Sequence, residues 1–260
     1  AESKEGSKSV HIVSMPLNCH TYYSLRYGTL SVEELLTEVE RKGYNSMVLS
    51  DINNTSAILD ALRLTDKKEF KVIPGIDFRN GIKQQYIGIA KNNAGFRELN
   101  EHLSQYLHQQ KDFESEAPEF KNAYVIYPFH SYKNKTLKEN EFLGISSKEL
   151  HALPFSPFKN YTNKMVVLQT STFINKKHFN AHRLLRAIDK NTLLSKLPFE
   201  EQASQDNMAL FKEELNLAFS QYPEIIKNTE EILANCSVRF EFGKLAGKNL
   251  KFYTESIEND

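Results

Sequence analysis

The stretch SVEELLTEVERKGYNSMVLSD, residues 31–51, decides the fold class. Val32, Leu35, Leu36 and Val39 recur at helical spacing and fall on one face. Ser31 and Glu34 form a capping box: the hydroxyl takes an orphan backbone N–H and the glutamate reaches back. Gly43 follows where a helix needs a left-handed residue to end it. The run SMVLS, Ser46–Ser50, comes next, short and apolar like a buried strand. Asp51 stands at its C-terminal end.

Outward from this unit the pattern repeats. Ser56–Leu64, with Ile58, Leu59, Leu62 and Leu64, predicts a helix. KVIPGIDF (Lys71–Phe78), broken by Pro74-Gly75, and QQYIGIA (Gln84–Ala90) predict strands, with Asp77 near the end of the first. Gly95–Gln109 predicts a helix, with Phe96, Leu99, Leu103 and Leu107 in register. AYVIYPF (Ala123–Phe129), EFLGIS (Glu141–Ser146) and KMVVLQT (Lys164–Thr170) predict further strands. Phe179–Ile188, Met208–Phe219 and Glu224–Asn235 predict helices. Strands alternating with helices argue for an α/β fold with a mostly parallel sheet. Such strands fit a barrel and an open sheet equally. The segments 111–121 and 132–140 and the tail after Gly243 read as the least ordered.

The chain has 260 residues, and 33 Lys plus Arg balance 33 Asp plus Glu. Zero net charge argues against a dedicated nucleic-acid-binding domain, which shows as a basic one. No run of about 18 apolar residues is present to span a membrane. The polar start AESKEGSKSV lacks the apolar core of a signal peptide. Cys19 and Cys236 are too few for a disulfide framework and lack metal-pair spacing, which fits a reducing cytoplasm. Neither a phosphate-cradling glycine motif nor a G-x-S-x-G elbow occurs.

In parallel α/β folds, functional residues gather at the carboxyl ends of strands. Asn18-Cys19-His20, Asp51 and Asp77 hold such positions. Imidazole and carboxylate groups from different strand ends are the raw material of a divalent metal site. The same aspartates also serve as turn formers or helix N-caps, and Asp51 precedes Asn53, Asn54 and Thr55. Cys19 and His20 are strand neighbours that point apart, so they form no nucleophile pair. His178 and His182 stand at i, i+4 without the H-E-x-x-H pattern and read as surface or helix-end residues. His102, His108, His130 and His151 stand alone and read as structural. Tyr22, Tyr23 and Tyr27 read as packing residues of a turn rather than base-stacking platforms.

Four stretches together resemble a known family: LNCHTYYSLRYGTLSVEELL (17–36), MVLSDINNTSAI (47–58), KVIPGIDFRN (71–80) and YIGIAKNNAGFRELNEHLS (86–104). They are similar to the N-terminal PHP (polymerase and histidinol phosphatase) domain of bacterial DNA polymerase III alpha subunits. FNAHRLLRAI (179–188) and PEIIKNTEEILANCSVRFEFG (223–243) fit the later part of that pattern. Residues 111–163 match poorly. The resemblance implies an irregular TIM-like (β/α)7 barrel with C-terminal helices, spanning residues 11–243. Residues 1–10 are then a disordered or expression-derived tail, and 244–260 a polar segment leading to a polymerase region. Active PHP members hold two or three divalent ions at the strand ends and hydrolyse phosphoesters, some as 3′–5′ exonucleases.

Carried across one by one, the family's ligands are largely replaced. The H-x-H motif is Asn18 and His20, and the D-H motif is Asp51 and Ile52. The glutamate of G-x-E is Asp77, and a further histidine corresponds to Gln85. The late N-D-x-H motif aligns with 169–172, leaving Thr170 and Thr172 at ligand positions. The remnant metal set is therefore His20, Asp51 and Asp77. A two-metal phosphoesterase clamps its substrate between ions about 3.5–4 Å apart, which three ligands do not build. One Zn, Mn or Mg ion with open water positions is the most they would hold. Without an ion, Asp51 would cap the Asn53–Thr55 turn and Ile52 would pack against apolar neighbours. The resemblance thus implies an inactive, cofactor-free structural domain of a cytoplasmic DNA polymerase, a transferase. Its partners would be the remaining polymerase chain, DNA through that parent and other replication subunits, with no membrane contact. The rival readings are a phosphoesterase or exonuclease on the reduced site, and a module binding DNA or a replication protein.

Overall fold

The computed structural model describes residues 17–132 and 136–242. The expected N-terminal tail, part of the 132–140 segment and the polar C-terminal segment lie outside the described residues.

Helix α1 (Val32–Arg41) forms as its apolar spacing requires and buries Val32, Leu35, Leu36 and Val39. Both halves of its capping box are made: Glu34 N donates to Ser31 Oγ (3.1 Å), and Ser31 N donates to Glu34 Oε2 (2.8 Å). Gly43 ends it in the left-handed region, at φ +88°. Strand β1 (Asn18–Cys19) precedes it and β2 (Ser46–Leu49) follows, each wholly buried. Then come α2 (Ala57–Thr65), β3 (Lys71–Asn80), β4 (Lys83–Ala90) and α3 (Asn93–Gln109). Strands β5 (Ala123–Pro128), β6 (Glu141–Ile145), β7 (Met165–Val167) and β8 (Thr170–Ser171) lead to helices α4 (Lys176–Asp189), α5 (Lys212–Ala218) and α6 (Pro223–Ala234).

The strands form one sheet in the order β7-β6-β5-β4-β3-β2-β1-β8. All neighbours are parallel except β3–β4 and β4–β5. The reversed β4 follows from a tight hairpin, with Gly81 at φ +61° in the turn. β7 and β8 lie at opposite ends of this order, yet only Leu168 and Gln169 separate them in sequence. Three extended residues reach about 10 Å, so the two edges of the sheet must meet. The hydrogen bonds agree: Leu168 N donates to Ile145 O (2.9 Å) on the β6 side, and Asn18 N donates to Gln169 O (3.3 Å) from β1. β7 and β8 are one bent stave, and the sheet is an irregular seven-stave α/β barrel.

Helix α6 covers the bend. Val167 N donates to Thr229 Oγ1 (2.8 Å), and the Thr229 hydroxyl donates to Ile225 O (2.7 Å). Asn228 Nδ2 donates to the carbonyls of Thr162 and Met165, each at 2.9 Å. The segment 111–121 departs from its expected looseness. It lacks helix and strand, but it buries Phe113, Ala117 and Phe120. Asn80 pins it through two 2.8 Å hydrogen bonds, to Phe113 N and Phe113 O. Among the described residues no helix is long and apolar enough to cross a membrane.

Candidate functional site

The carboxyl ends of β1, β2 and β3 converge with β8 on one buried polar cluster. Asn18 and His20 lie two apart, as do Asp77 and Arg79, so each pair shares a face of its strand. Asp77 is the centre. Its Oδ2 accepts from Asn18 Nδ2 (3.1 Å), His20 Nε2 (3.1 Å), Arg79 Nε (2.9 Å) and Arg79 Nη2 (2.6 Å). Its Oδ1 is buried without a hydrogen-bond partner in the protein. Burial pushes this carboxyl up, but the Arg79 charge and the His20 hydrogen bond outweigh it and hold it well below the usual carboxylate range. Burial works against the Arg79 charge too, and Asp77 and Tyr27 more than restore it. The pair is therefore ionised although buried.

Around this pair every contact is local and directional. Arg79 Nη1 donates to Tyr27 Oη (3.1 Å), and the guanidinium lies 5.1 Å from the centre of the Tyr27 ring. With Nε2 on Asp77, the other ring nitrogen of His20, Nδ1, pairs with the Thr172 hydroxyl at 2.9 Å. Asn18 also donates to Thr170 Oγ1 (3.2 Å) and accepts from Ser50 Oγ (2.9 Å). Cys19, between Asn18 and His20, is buried, and burial with Asp51 nearby pushes its thiol far above the ordinary range. A thiol so held stays protonated and is no nucleophile.

Asp51 has a different task from the one expected. Its Oδ1 accepts from Thr21 N (2.7 Å) and Ser24 Oγ (2.6 Å), and its Oδ2 accepts from Thr21 Oγ1 (2.7 Å). It fastens the turn after β1 rather than capping Asn53–Thr55. In that neighbouring turn Asn53 N donates to Asp77 O (3.1 Å), and Ser56 N donates to Asn54 Oδ1 (2.7 Å). Burial raises the Asp51 carboxyl, and the Ser24 and Thr21 hydrogen bonds oppose that rise. The turn also explains Gly28, where a Cβ would sit 1.7 Å from Thr21 O.

Of the three residues expected as metal ligands, then, His20 and Asp77 meet directly, and Asp51 is engaged by the turn. A divalent ion needs free carboxylate lone pairs and repels a neighbouring cation. Here four donors crowd Asp77 Oδ2 and three bind Asp51, and the unpartnered oxygen, Asp77 Oδ1, belongs to a carboxylate that the Arg79 cation already holds. Among the described residues no group of three or more His, Cys, Asp or Glu is arranged to hold a metal ion. The donor set fits a guanidinium, not a divalent ion. Of the positions read from the sequence as lost ligands, Asn18, Thr170 and Thr172 belong to the cluster. Ile52 packs with Tyr27, Phe173 and Ala203, and Gln85 donates to Lys83 O (3.1 Å).

Several residues of the site escaped sequence reasoning. Arg79 is the foremost, although its i, i+2 spacing from Asp77 in a strand signals a shared face. His182, expected at the surface, is fully buried. Its Nε2 accepts from Ala203 N (2.9 Å), so Nδ1–H donates to Tyr27 O (2.8 Å), and burial pushes its pKa down to about 4. Tyr27, Arg79, Gln84, His130, Glu149 and Thr170 line a cavity of about 490 Å³. Across it His130 Nδ1 lies 3.1 Å from Glu149 Oε1; that hydrogen bond raises the His130 pKa. Both residues come from the part of the chain with the poorest resemblance.

Comparison with known proteins gives the same direction. A family model described as the PHP domain matches residues 16–150, just over half of the chain. DNA polymerase III subunit alpha of Bacillus subtilis (strain 168) is 25% identical over 275 residues, covering 88% of this chain and 23% of the relative. The subunit alpha of Buchnera aphidicola subsp. Schizaphis graminum is 22% identical over 291 residues, covering 94% of this chain and 24% of the relative. That of Staphylococcus epidermidis (strain ATCC 12228) is 23% identical over 232 residues, or 87% of this chain and 21% of the relative. The chain thus spans about a quarter of the length of the curated relatives it matches. Among solved structures, an amidohydrolase from Chromobacterium violaceum matches 37% of this chain and 34% of its own, at 15% identity and a TM-score of 0.31.

Proposed function

Since the chain belongs to the PHP domain family, we propose that it is the PHP domain of a DNA polymerase III alpha-like replicative or repair polymerase, and that it serves there as a structural domain without phosphoesterase activity of its own. The observation that carries this reading is the Arg79 guanidinium bound to Asp77 Oδ2 at 2.6 Å. A permanent cation of the protein's own stands against the carboxylate that an ion would use. In this reading His20, Asp51 and Asp77 are a remnant set, and Asn18, Ile52, Gln85, Thr170 and Thr172 mark lost ligands. Residues 11–243 form the domain, the polymerase step belongs to the longer parent, and the location is cytoplasmic. DNA reaches the domain only through that parent.

The test is direct. The purified chain is given Mn²⁺ or Zn²⁺ with p-nitrophenyl phosphate and with 3′-labelled DNA, and its bound metal is measured by elemental analysis. No turnover and far less than one ion per chain are expected. Turnover that disappears in Asp77→Asn, or one tightly held ion per chain, would overturn the structural reading.

A further inference from the structure

Asn80-Gly81 is the one Asn-Gly pair in the 260-residue sequence. Glycine has no Cβ to keep the preceding asparagine side chain away from its backbone nitrogen, so the two groups can meet and react. In this barrel the pair forms a corner of the β3–β4 hairpin, with Asn80 opposite Lys83. Gly81 is exposed at φ +61°, and a Cβ there would meet nothing within 4 Å. Water therefore reaches the backbone of this corner. The Asn80 side chain, by contrast, is held at both ends. Its Nδ2 donates to Phe113 O and its Oδ1 accepts from Phe113 N, each at 2.8 Å. Swinging the amide carbon toward Gly81 N breaks both of these bonds.

The residue that holds Asn80 belongs to the strap 111–121. The Phe113 ring stacks on Tyr106, with centroids 4.9 Å apart, and meets Phe78 edge-on at 5.2 Å. Further along, Ala117 N donates to Tyr127 Oη, and Asn140 Nδ2 donates to Phe120 O, each at 3.0 Å. Ser115 of the strap lines a cavity of about 340 Å³ together with Gln84, Gln85, Tyr127 and Tyr132.

We propose that Asn80-Gly81 is a deamidation site that the strap 111–121 holds shut, and that conversion of Asn80 to a carboxylate releases the strap. In the reaction Gly81 N gives up its proton and attacks Asn80 Cγ. A C–N bond forms, the Cγ–Nδ2 bond breaks, and Nδ2 leaves as ammonia with a proton that balances the one lost. Water then opens the cyclic imide at either carbonyl, giving aspartate or isoaspartate with no change of oxidation state. The carboxylate of aspartate accepts hydrogen bonds and donates none. The oxygen in place of Nδ2 then faces Phe113 O, acceptor against acceptor, so a hydrogen bond becomes a repulsion. Isoaspartate routes the main chain through the former side-chain carbon and takes the group off Phe113. None of this depends on the parentage proposed above.

Peptide mapping by mass spectrometry follows the reaction in the 260-residue chain at mildly alkaline pH, folded and in guanidinium chloride. The folded chain should deamidate Asn80 at least about tenfold more slowly, because the reaction waits for local opening. Phe113→Ala strips the ring that seats the strap but keeps the backbone atoms of the clamp, and should restore most of the rate. Phe155→Ala, at a 91% exposed position, should not. Equal rates in the folded and unfolded chains, or no deamidation in either, would overturn the site. A slow rate unmoved by Phe113→Ala would assign the protection to the hairpin itself and overturn the strap's part in it. Asn80→Asp tests the release directly and decides alone if Phe113→Ala does not fold. Amide hydrogen exchange at Phe113 and Ala117 should rise at least about tenfold in Asn80→Asp. It should stay unchanged in Asn180→Asp, which adds the same charge at an exposed residue of α4. Unchanged exchange in Asn80→Asp, or an equal rise in Asn180→Asp, would overturn the release.

Discussion

Without Arg79, Asp77 would remain a carboxylate at 0% exposure with only Asn18 and His20 to stabilise its charge. Breaking a buried ion pair from one side typically costs about 3–5 kcal/mol, because the abandoned charge stays desolvated. Arg79→Met is therefore expected to lose stability on that scale in urea unfolding. The double variant Arg79→Met/Asp77→Asn should lose less than the two single losses combined, since it removes the orphaned charge as well. Strict additivity would show that the two side chains are not coupled. His130 makes a second prediction at this scale. Its hydrogen bond to Glu149 raises its pKa, so a histidine NMR titration should place it above an ordinary imidazole. Glu149→Gln should bring it down. The stability this pair contributes through His130 is complete below the unfolded-state pKa and fades as pH rises through the folded one.

Among the elements, two contacts decide whether the barrel closes as described. Helix α1 is set by the Ser31 capping box, and Ser31→Ala should cost about 1 kcal/mol, the usual worth of an N-cap side chain. Thr229 matters more, because its hydroxyl accepts the Val167 N–H where no strand does. Thr229→Val leaves that buried N–H unpaired, at a cost of about 1–3 kcal/mol, whereas Thr229→Ser keeps the oxygen and should cost much less. Thermal and urea unfolding of the two variants distinguish these outcomes. Equal losses would mean that the methyl group's packing, not the hydrogen bond, holds α6 to β7.

For the whole molecule, the buried histidines set the response to acid. Burial pushes both His102 and His182 down to about 4 from the ordinary 6.5. Between those values the unfolded chain binds more protons than the folded one, so stability falls as pH is lowered through this window and is complete above it. Each residue contributes to that loss through its shift, the fully buried His182 more than His102. Asp77 acts in the same sense at still lower pH, since its depressed carboxyl favours the fold only while ionised. The urea midpoint should therefore drop steadily between pH 7 and pH 4.5. His182→Asn should flatten part of the drop, and a flat profile for the native chain would contradict the burial argument.

What the sequence by itself determined was local and periodic. The apolar spacing of α1 with Ser31, Glu34 and Gly43, the buried run of β2, and most of the alternation that follows are short-range signals that formed where they were read, whereas the helix expected over Met208–Phe219 is confined to Lys212–Ala218, because Met208 bridges to Phe173 instead. The positions of His20, Asp51 and Asp77 at strand ends were equally legible. Tertiary structure decided what no spacing records. Closure of the barrel depends on Leu168 and Gln169 linking strands at opposite ends of the sheet order, which is a long-range pairing. The roles of the three site residues depend on partners up to 152 positions away, as with His20 and Thr172. Arg79 shares a face with Asp77 in any strand, but only the closed barrel removes the water that would otherwise separate and screen the pair. His182 became a core residue for the same reason: its amphipathic helix had two faces to offer, and packing chose the one that buries it.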